Sequence, residues 1–172
     1  GKFKEGASTI SQQLIKNTHL SSEKTLKRKA KELKLTVELE KKYSKEEILS
    51  MYLNTVYFGH SCFGIESASE FYFSKTASEL SLSESAILAG LVKSPNNYSP
   101  FKNAENCKKR RSVVLLAMQK NGHISEEERK KAESDPLPTA PCIDAEKSYF
   151  ERVFDEFEEI SESVYTPKFG KT

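Results

Sequence analysis

Cysteine and histidine are scarce in this 172-residue chain, with three of each, and glycine and proline number only seven and six. Cys62, Cys107 and Cys142 are odd in number, widely spaced and include no Cys-x-x-Cys pair, which argues against a disulfide framework or a zinc site. His19, His60 and His123 are scattered, so neither a metal cluster nor a histidine-based triad is expected. The low glycine and proline content disfavours a collagen-like or largely disordered chain, and no glycine-rich phosphate loop is present. Long apolar runs are missing too. The longest, Ala86 to Val92 and Val113 to Met118, fall far short of the ~20 residues needed to cross a bilayer. The first residues carry lysines with no apolar stretch behind them and no initiator methionine, so they read as a piece cut from a longer chain rather than as a signal peptide.

What is there is charge and helix. Hydrophobic residues make up 37% and charged residues 30%, and a chain of this size can close one core without staples. Net charge is +2, unevenly spread. Residues 1–34 hold nine Lys and Arg against three Glu, and residues 144–172 hold four against eight Asp and Glu. The basic front suits an anionic partner such as phosphate, a lipid headgroup or nucleic acid, although a solvated lysine-rich face is the commoner outcome.

Almost every segment has a helical period. Ser8 and Thr9 cap a helix with Ile10 and Leu14 on its apolar side, ending near Asn17. A long helix is predicted from Glu23 to Lys42, with Leu26, Ala30, Leu33 and Val37 in one narrow sector and Leu35 and Leu39 nearly opposite, so cover on two sides is expected. Ser44 with Glu47 opens a third helix, and residues 55–59 form a buried extended link. Helices resume at 65–73, after Thr76, and at 83–92; residues 95–100 form an ordered loop. Asn103 begins a helix stopped by Gly122, and Ser125 with Glu128 caps another. A proline-bearing linker runs from Ser134 to Cys142, followed by an acidic amphipathic helix through Tyr149, Phe154, Phe157 and Ile160.

Two constellations carry chemistry. Arg28 and Glu32, four apart, sit beside Leu35 and Leu39, with Lys24 a turn earlier. Spacing alone makes this most often a structural helical ion pair; the alternative is a cleft carboxylate among cations, suited to phosphate. Near the start, Thr9, Gln13 and Lys16 share neighbouring faces of a helix whose N-terminus bears Ser8, a hydroxyl, amide and ammonium set that suits a sugar phosphate as well as ordinary surface decoration. Arg110-Arg111 reads as a helix-surface pair or an anion clamp.

Taken in order, these segments resemble the peptidoglycan glycosyltransferases of family 51, the transglycosylase domains of class A penicillin-binding proteins. Gly6-Ala7-Ser8-Thr9-Ile10-Ser11-Gln12-Gln13, with Lys16-Asn17 following, is similar to the family's second motif. Arg28-Lys29-Ala30-Lys31-Glu32 resembles the third, residues 45–54 the fourth and residues 110–115 the fifth. Ala7, Ser50 and Ser74 depart from the usual Gly, Glu and Gly, and the first motif, which supplies a base glutamate in the family, would lie upstream of Gly1.

The resemblance implies an all-α, lysozyme-like lobe, incomplete at its N-terminus, over residues 1–133. Residues 134–172 would be a linker and acidic helix leading toward a transpeptidase domain. It implies polymerisation of lipid II onto a growing glycan chain with release of undecaprenyl pyrophosphate, in a fragment that is itself inactive without the first motif. Glu32 would be the catalytic carboxylate, acting directly or through a divalent cation, magnesium or manganese. Ser8, Thr9, Gln13, Lys16, Asn17, Lys24, Arg28 and Lys29 would bind substrate, and Tyr52, Asn54 and Arg111 would shape the cleft. Moenomycin-type inhibitors would share the site. The parent would sit at the outer face of a bacterial cytoplasmic membrane, with this piece soluble. Two other readings stand beside it, a silent scaffold of the same fold and a helical nucleic-acid-binding module; the lack of aromatics over residues 16–34 counts against the second.

Overall fold

The computed structural model describes residues 8–19 and 25–142. Lys24 and the acidic helix expected beyond Cys142 lie outside these residues. The described chain is predominantly helical, with one short hairpin. Its elements are α1 (Ile10–His19), α2 (Leu26–Lys42), α3 (Lys45–Thr55), β1 (Tyr57–Gly59), β2 (Cys62–Phe63), α4 (Ile65–Phe73), α5 (Leu82–Leu91), α6 (Pro95–Tyr98), α7 (Ala104–Lys120) and α8 (Glu126–Ser134). A single 3-10 turn, Ala77–Glu79, separates α4 from α5. Among the described residues no helix is long and apolar enough to cross a membrane.

The helix starts follow local chemistry. Ser44, Ser81 and Ser125 each accept a hydrogen bond from the backbone of a glutamate three residues on, and that glutamate reaches back to the serine N–H. Each box satisfies two backbone donors that an uncapped helix would leave open. Thr9 and Gln12 make the same reciprocal pair at α1. Several boundaries differ from the periodic reading. α1 continues past Asn17 to His19, and the Thr18 hydroxyl bonds back to the Leu14 carbonyl. α2 starts at Leu26 because Thr25, not a residue near Glu23, caps it. Residues 95–98 are a short helix with Pro95 in its first turn, where its missing N–H costs nothing.

The expected link at 55–59 holds β1, which pairs antiparallel with β2. Gly59 permits this turn: its φ is +93°, and a Cβ there would stand 3.0 Å from the Pro95 Cβ. Behind the hairpin lies the main core, built from Phe58, Cys62, Phe71, Tyr72, Leu88 and Leu91. The Tyr72 hydroxyl donates to the Phe58 carbonyl at 3.0 Å, and burial pushes its pKa above the usual phenol range. Ser74 ends α4 in the left-handed conformation, which explains why glycine is the residue the resemblance expects there.

α1 packs on α2 and α3, while α5 packs on α7, with α8 closing the far side through Ala86, Leu115 and Ala132. One expectation is overturned. The Leu26–Ala30–Leu33–Val37 sector of α2 is not a core face: Leu26 is 92% exposed, Leu33 55% and Val37 44%. The buried positions of α2 are Glu32 and Thr36, with Leu35 and Leu39 half-buried beside them. The helix docks by its polar side because that side's charges are matched within the helix itself.

Candidate functional site

A polar cleft of about 570 Å³ opens between the two halves of the fold. Gln13, Lys16 and Asn17 of α1 and Tyr52 of α3 form one wall. Lys93, just after α5, and Arg110 of α7 form the other, with Tyr57 and Pro95 between. Among the described residues three cations line this space and no carboxylate does. A second, more apolar cavity of about 490 Å³ is lined by Ile10, Tyr43 and Ile48 with Glu40 and Lys45 beside them, and it holds none of Gln13, Lys16, Asn17 or Arg110, so the polar cleft is the stronger candidate.

Gln13 is fixed at both ends of its amide. Its Oε1 accepts from the Tyr52 hydroxyl at 3.1 Å, and its Nε2 donates to the Ser8 carbonyl at 3.3 Å. Burial raises the pKa of Tyr52, so the phenol stays a neutral donor. This locks the amide in orientation before any ligand arrives. Lys16 and Asn17, by contrast, are exposed at the cleft wall.

Glu32 stands apart from the cleft lining. Its side chain is 2% exposed, with Oε2 3.0 Å from Arg28 Nη1 and Oε1 bonded to Lys29 Nζ. Burial alone would raise its pKa, but the hydrogen bonds and charges of Lys29 and then Arg28 outweigh that and hold it below the ordinary value of 4.5. Thr36 caps the arrangement by donating to the Glu32 carbonyl at 2.8 Å. With both oxygens held by cations, this carboxylate is a poor seat for a divalent ion. Among the described residues no group of three His, Cys, Asp or Glu gathers to hold one.

The remaining sequence candidates divide. Thr9 is spent on the α1 cap and Ser8 lends its carbonyl to Gln13. Asn54 is exposed in the last turn of α3, away from the cleft lining. Arg111 is not a cleft residue. It is 2% exposed, donates to the Ser83 hydroxyl at 2.8 Å and to the carbonyls of Asp135 and Glu133 at 2.8 and 2.7 Å, and so ties the end of α8 to α5. Its neighbour Arg110 faces the cleft instead. Helical spacing carried that signal: Arg111 shares a sector with Cys107 and Leu115, both buried, and Arg110 is turned ~100° away. Lys93 carried no such helical signal; what marked it was its place in the run from Leu88 to Pro95, which also resembles the family.

A helical lobe whose cationic cleft gathers Gln13, Lys16 and Asn17 of one motif defines a class, and comparison with known proteins gives it. The chain belongs to the transglycosylase family, whose model, described as Transglycosylase, matches residues 1–119. Its relatives are penicillin-binding proteins. It is 40% identical over 162 residues to penicillin-binding protein 1F of Bacillus subtilis, covering 94% of this chain and 23% of that one. It is 50% identical over 127 residues to penicillin-binding protein 2a of Streptococcus pneumoniae, covering 74% and 17% respectively. The crystal structure of penicillin-binding protein 1A from Haemophilus influenzae superposes with a TM-score of 0.54 at 26% identity, covering 94% of this chain and 20% of that one. The chain thus spans about a fifth of the length of these relatives.

Proposed function

We propose that this chain is the glycosyl-transferring lobe of a peptidoglycan polymerase, acting on lipid II and the growing glycan strand. In the reaction an acceptor sugar hydroxyl attacks the anomeric carbon of the lipid-linked chain. The bond from that carbon to pyrophosphate breaks with inversion, the pyrophosphate departs with the bonding electrons, and the hydroxyl proton passes to a base. The single observation that carries the reading is the cleft itself, which Lys16, Lys93 and Arg110 line with no acid beside them among the described residues. Cations fixed where charge develops on a leaving pyrophosphate stabilise the transition state more than the ground state. Gln13, pinned by Tyr52, orients a sugar or phosphate oxygen against them.

The bilayer that holds such a substrate would meet α2. Its exposed Leu26, Leu33 and Val37 form an apolar stripe flanked by Lys27, Lys34 and Lys41, a pattern suited to an anionic lipid surface.

A second reading, a scaffold that keeps the fold without turnover, is favoured by one observation: Glu32 is committed to Arg28 and Lys29 and does not line the cleft. Lipid II polymerisation by the full-length protein that carries this chain decides between them. The expected result is a glycan ladder that falls about 100-fold in rate with Lys16→Ala and drops strongly with Glu32→Gln, helicity being kept in both. No ladder from the parent supports the scaffold, and near-normal turnover in Glu32→Gln removes Glu32 from the catalytic set.

A further inference from the structure

α6 spans four residues, Pro95–Tyr98, too few for a helix to hold its own place. Contacts from the β1–β2 hairpin fix it at both ends. Gly59 packs directly on Pro95. The next residue, His60, brings its ring Nε2 to 3.1 Å from the hydroxyl of Ser99, which follows α6. Ser99 is 1% exposed, and its carbonyl accepts from the amides of Lys102 and Asn103 at the turn into α7. His60 is itself well anchored. Its backbone is left-handed, with φ +50°, and its ring stacks on Phe71 of α4 at 5.3 Å and meets Phe101 edge-on at 5.6 Å. Burial, and then the Lys102 ammonium, hold its pKa below the usual 6.5, so the ring adds no charge at neutral pH. Neither residue lines the cleft, and among the described residues no carboxylate bonds to the ring, so the pair is not a nucleophile with its base.

What α6 carries gives the pair its use. Arg110 lines the cleft, and its stem passes Gly90, where a Cβ would come within 2.9 Å of Arg110 Cγ. Its guanidinium sits over the ring of Tyr98, the last residue of α6, at 5.7 Å, and its buried Nε has no hydrogen-bond partner. A guanidinium seated on a ring face, without a hydrogen bond at Nε to fix it, follows that ring when it moves.

We infer that His60 and Ser99 are positioning residues for Arg110: their hydrogen bond pins the end of α6, and with it the Tyr98 ring that seats the guanidinium in the cleft. This rests on the cleft reading above, in which Arg110 meets a phosphate anion. A cation held in place before the ligand arrives meets the developing charge without reorganising, so a tie remote from the cleft bears on what the cleft does.

The test follows the Arg110 Nε–H signal by NMR in this chain without ligand. That buried proton exchanges slowly with water while the guanidinium stays on Tyr98. Exchange about tenfold faster is expected in Ser99→Ala, His60→Ala and Tyr98→Leu, with His60→Gln, which restores a hydrogen-bonding group, within about twofold of the parent. The amides of Leu88 and Leu91, buried in α5, should keep their protection throughout. Unchanged exchange in Ser99→Ala overturns the inference. So does an acceleration shared by the α5 amides, or His60→Gln behaving like His60→Ala. Inorganic pyrophosphate, titrated by calorimetry, then reads the consequence in the cleft. Ser99→Ala should weaken its binding about fivefold, yet add no further loss in an Arg110→Ala background. Losses that multiply in the double variant mean that Ser99 does not act through Arg110. A parent chain that binds no pyrophosphate, or binding that Arg110→Ala leaves unchanged, removes the cleft reading instead, while the exchange data still decide whether the pair positions Arg110.

Discussion

On the wall built from α1, α2 and α3, the positions that α2 buries are Glu32 and Thr36, while its best apolar stripe faces out. On the wall built from α5, α7 and α8, the buried positions are mostly apolar and include Ala86, Ile87, Leu88, Leu91 and Leu115, the residues any hydropathy argument would choose. The difference lies in what each wall must do besides fold. Both walls feed the main core, Leu14, Ile48 and Tyr52 from the first and Ile87, Leu88 and Leu91 from the second, and the buried cation of the second, Arg111, is met by a hydroxyl and two carbonyls. In the first wall α2 holds its carboxylate with cations from its own helix, which leaves the apolar stripe of α2 free for another surface.

The sharpest way to break this contrast is Arg111→Ala. The substitution leaves a cavity and strands the Ser83 hydroxyl and the carbonyls of Glu133 and Asp135, which Arg111 now satisfies. A loss of about 3 kcal/mol in urea unfolding is expected, with α8 separating first in hydrogen exchange. A loss below about 1 kcal/mol would mean that the end of α8 finds its own partners and that Arg111 is no latch.

These cases also show what could be read from the sequence. The caps at Ser44, Thr76 and Ser125 were legible, because a capping box is local and the backbone has few other ways to satisfy its first N–H groups, whereas the Ser81 box was missed and α5 was read from Ser83. The core of α5 was legible for the same reason that it is stable, Ala86 to Leu91 being an unbroken apolar run. α2 was misread because periodicity registers where apolar residues lie, not where burial is tolerated. A carboxylate that finds Arg28 and Lys29 one turn away can be covered, and then the apolar side need not be. Within the cleft, Gln13, Lys16, Asn17 and Tyr52 came from motif resemblance. Arg110 required knowing which of two adjacent arginines faces the core, and Lys93, within the run from Leu88 to Pro95 that also resembles the family, needed tertiary structure to place it at the cleft.

A smaller effect separates the walls by pH. Glu32 titrates below 4.5 in the folded chain, so its ion pairs add stability that is fully present above the unfolded value and is lost as pH falls through the folded one. Melting temperature followed from pH 7 to pH 3 should therefore decline less steeply in Glu32→Gln than in the parent chain below about pH 4.5. Parallel curves would show that Arg28 and Lys29 hold Glu32 without net benefit to the fold.

The smallest expected effect tests α2 most directly. Leu33 lies in the sector that spacing marks as core, yet more than half of it is in water. If the exposed stripe is idle in folding, Leu33→Ser should change unfolding free energy by no more than about 0.5 kcal/mol, against the 2–5 kcal/mol typical of a buried leucine cut back to a small residue. Vesicle flotation gives the second half of the measurement. With liposomes rich in anionic lipid, the same substitution should reduce association of the chain, since an amphipathic helix binds through its buried apolar area together with its flanking charge. A variant that stays folded and floats like the parent would separate the stripe from the bilayer. One that loses several kcal/mol would instead show that Leu33 is covered in solution, and would bring α2 back to the pattern of the opposite wall.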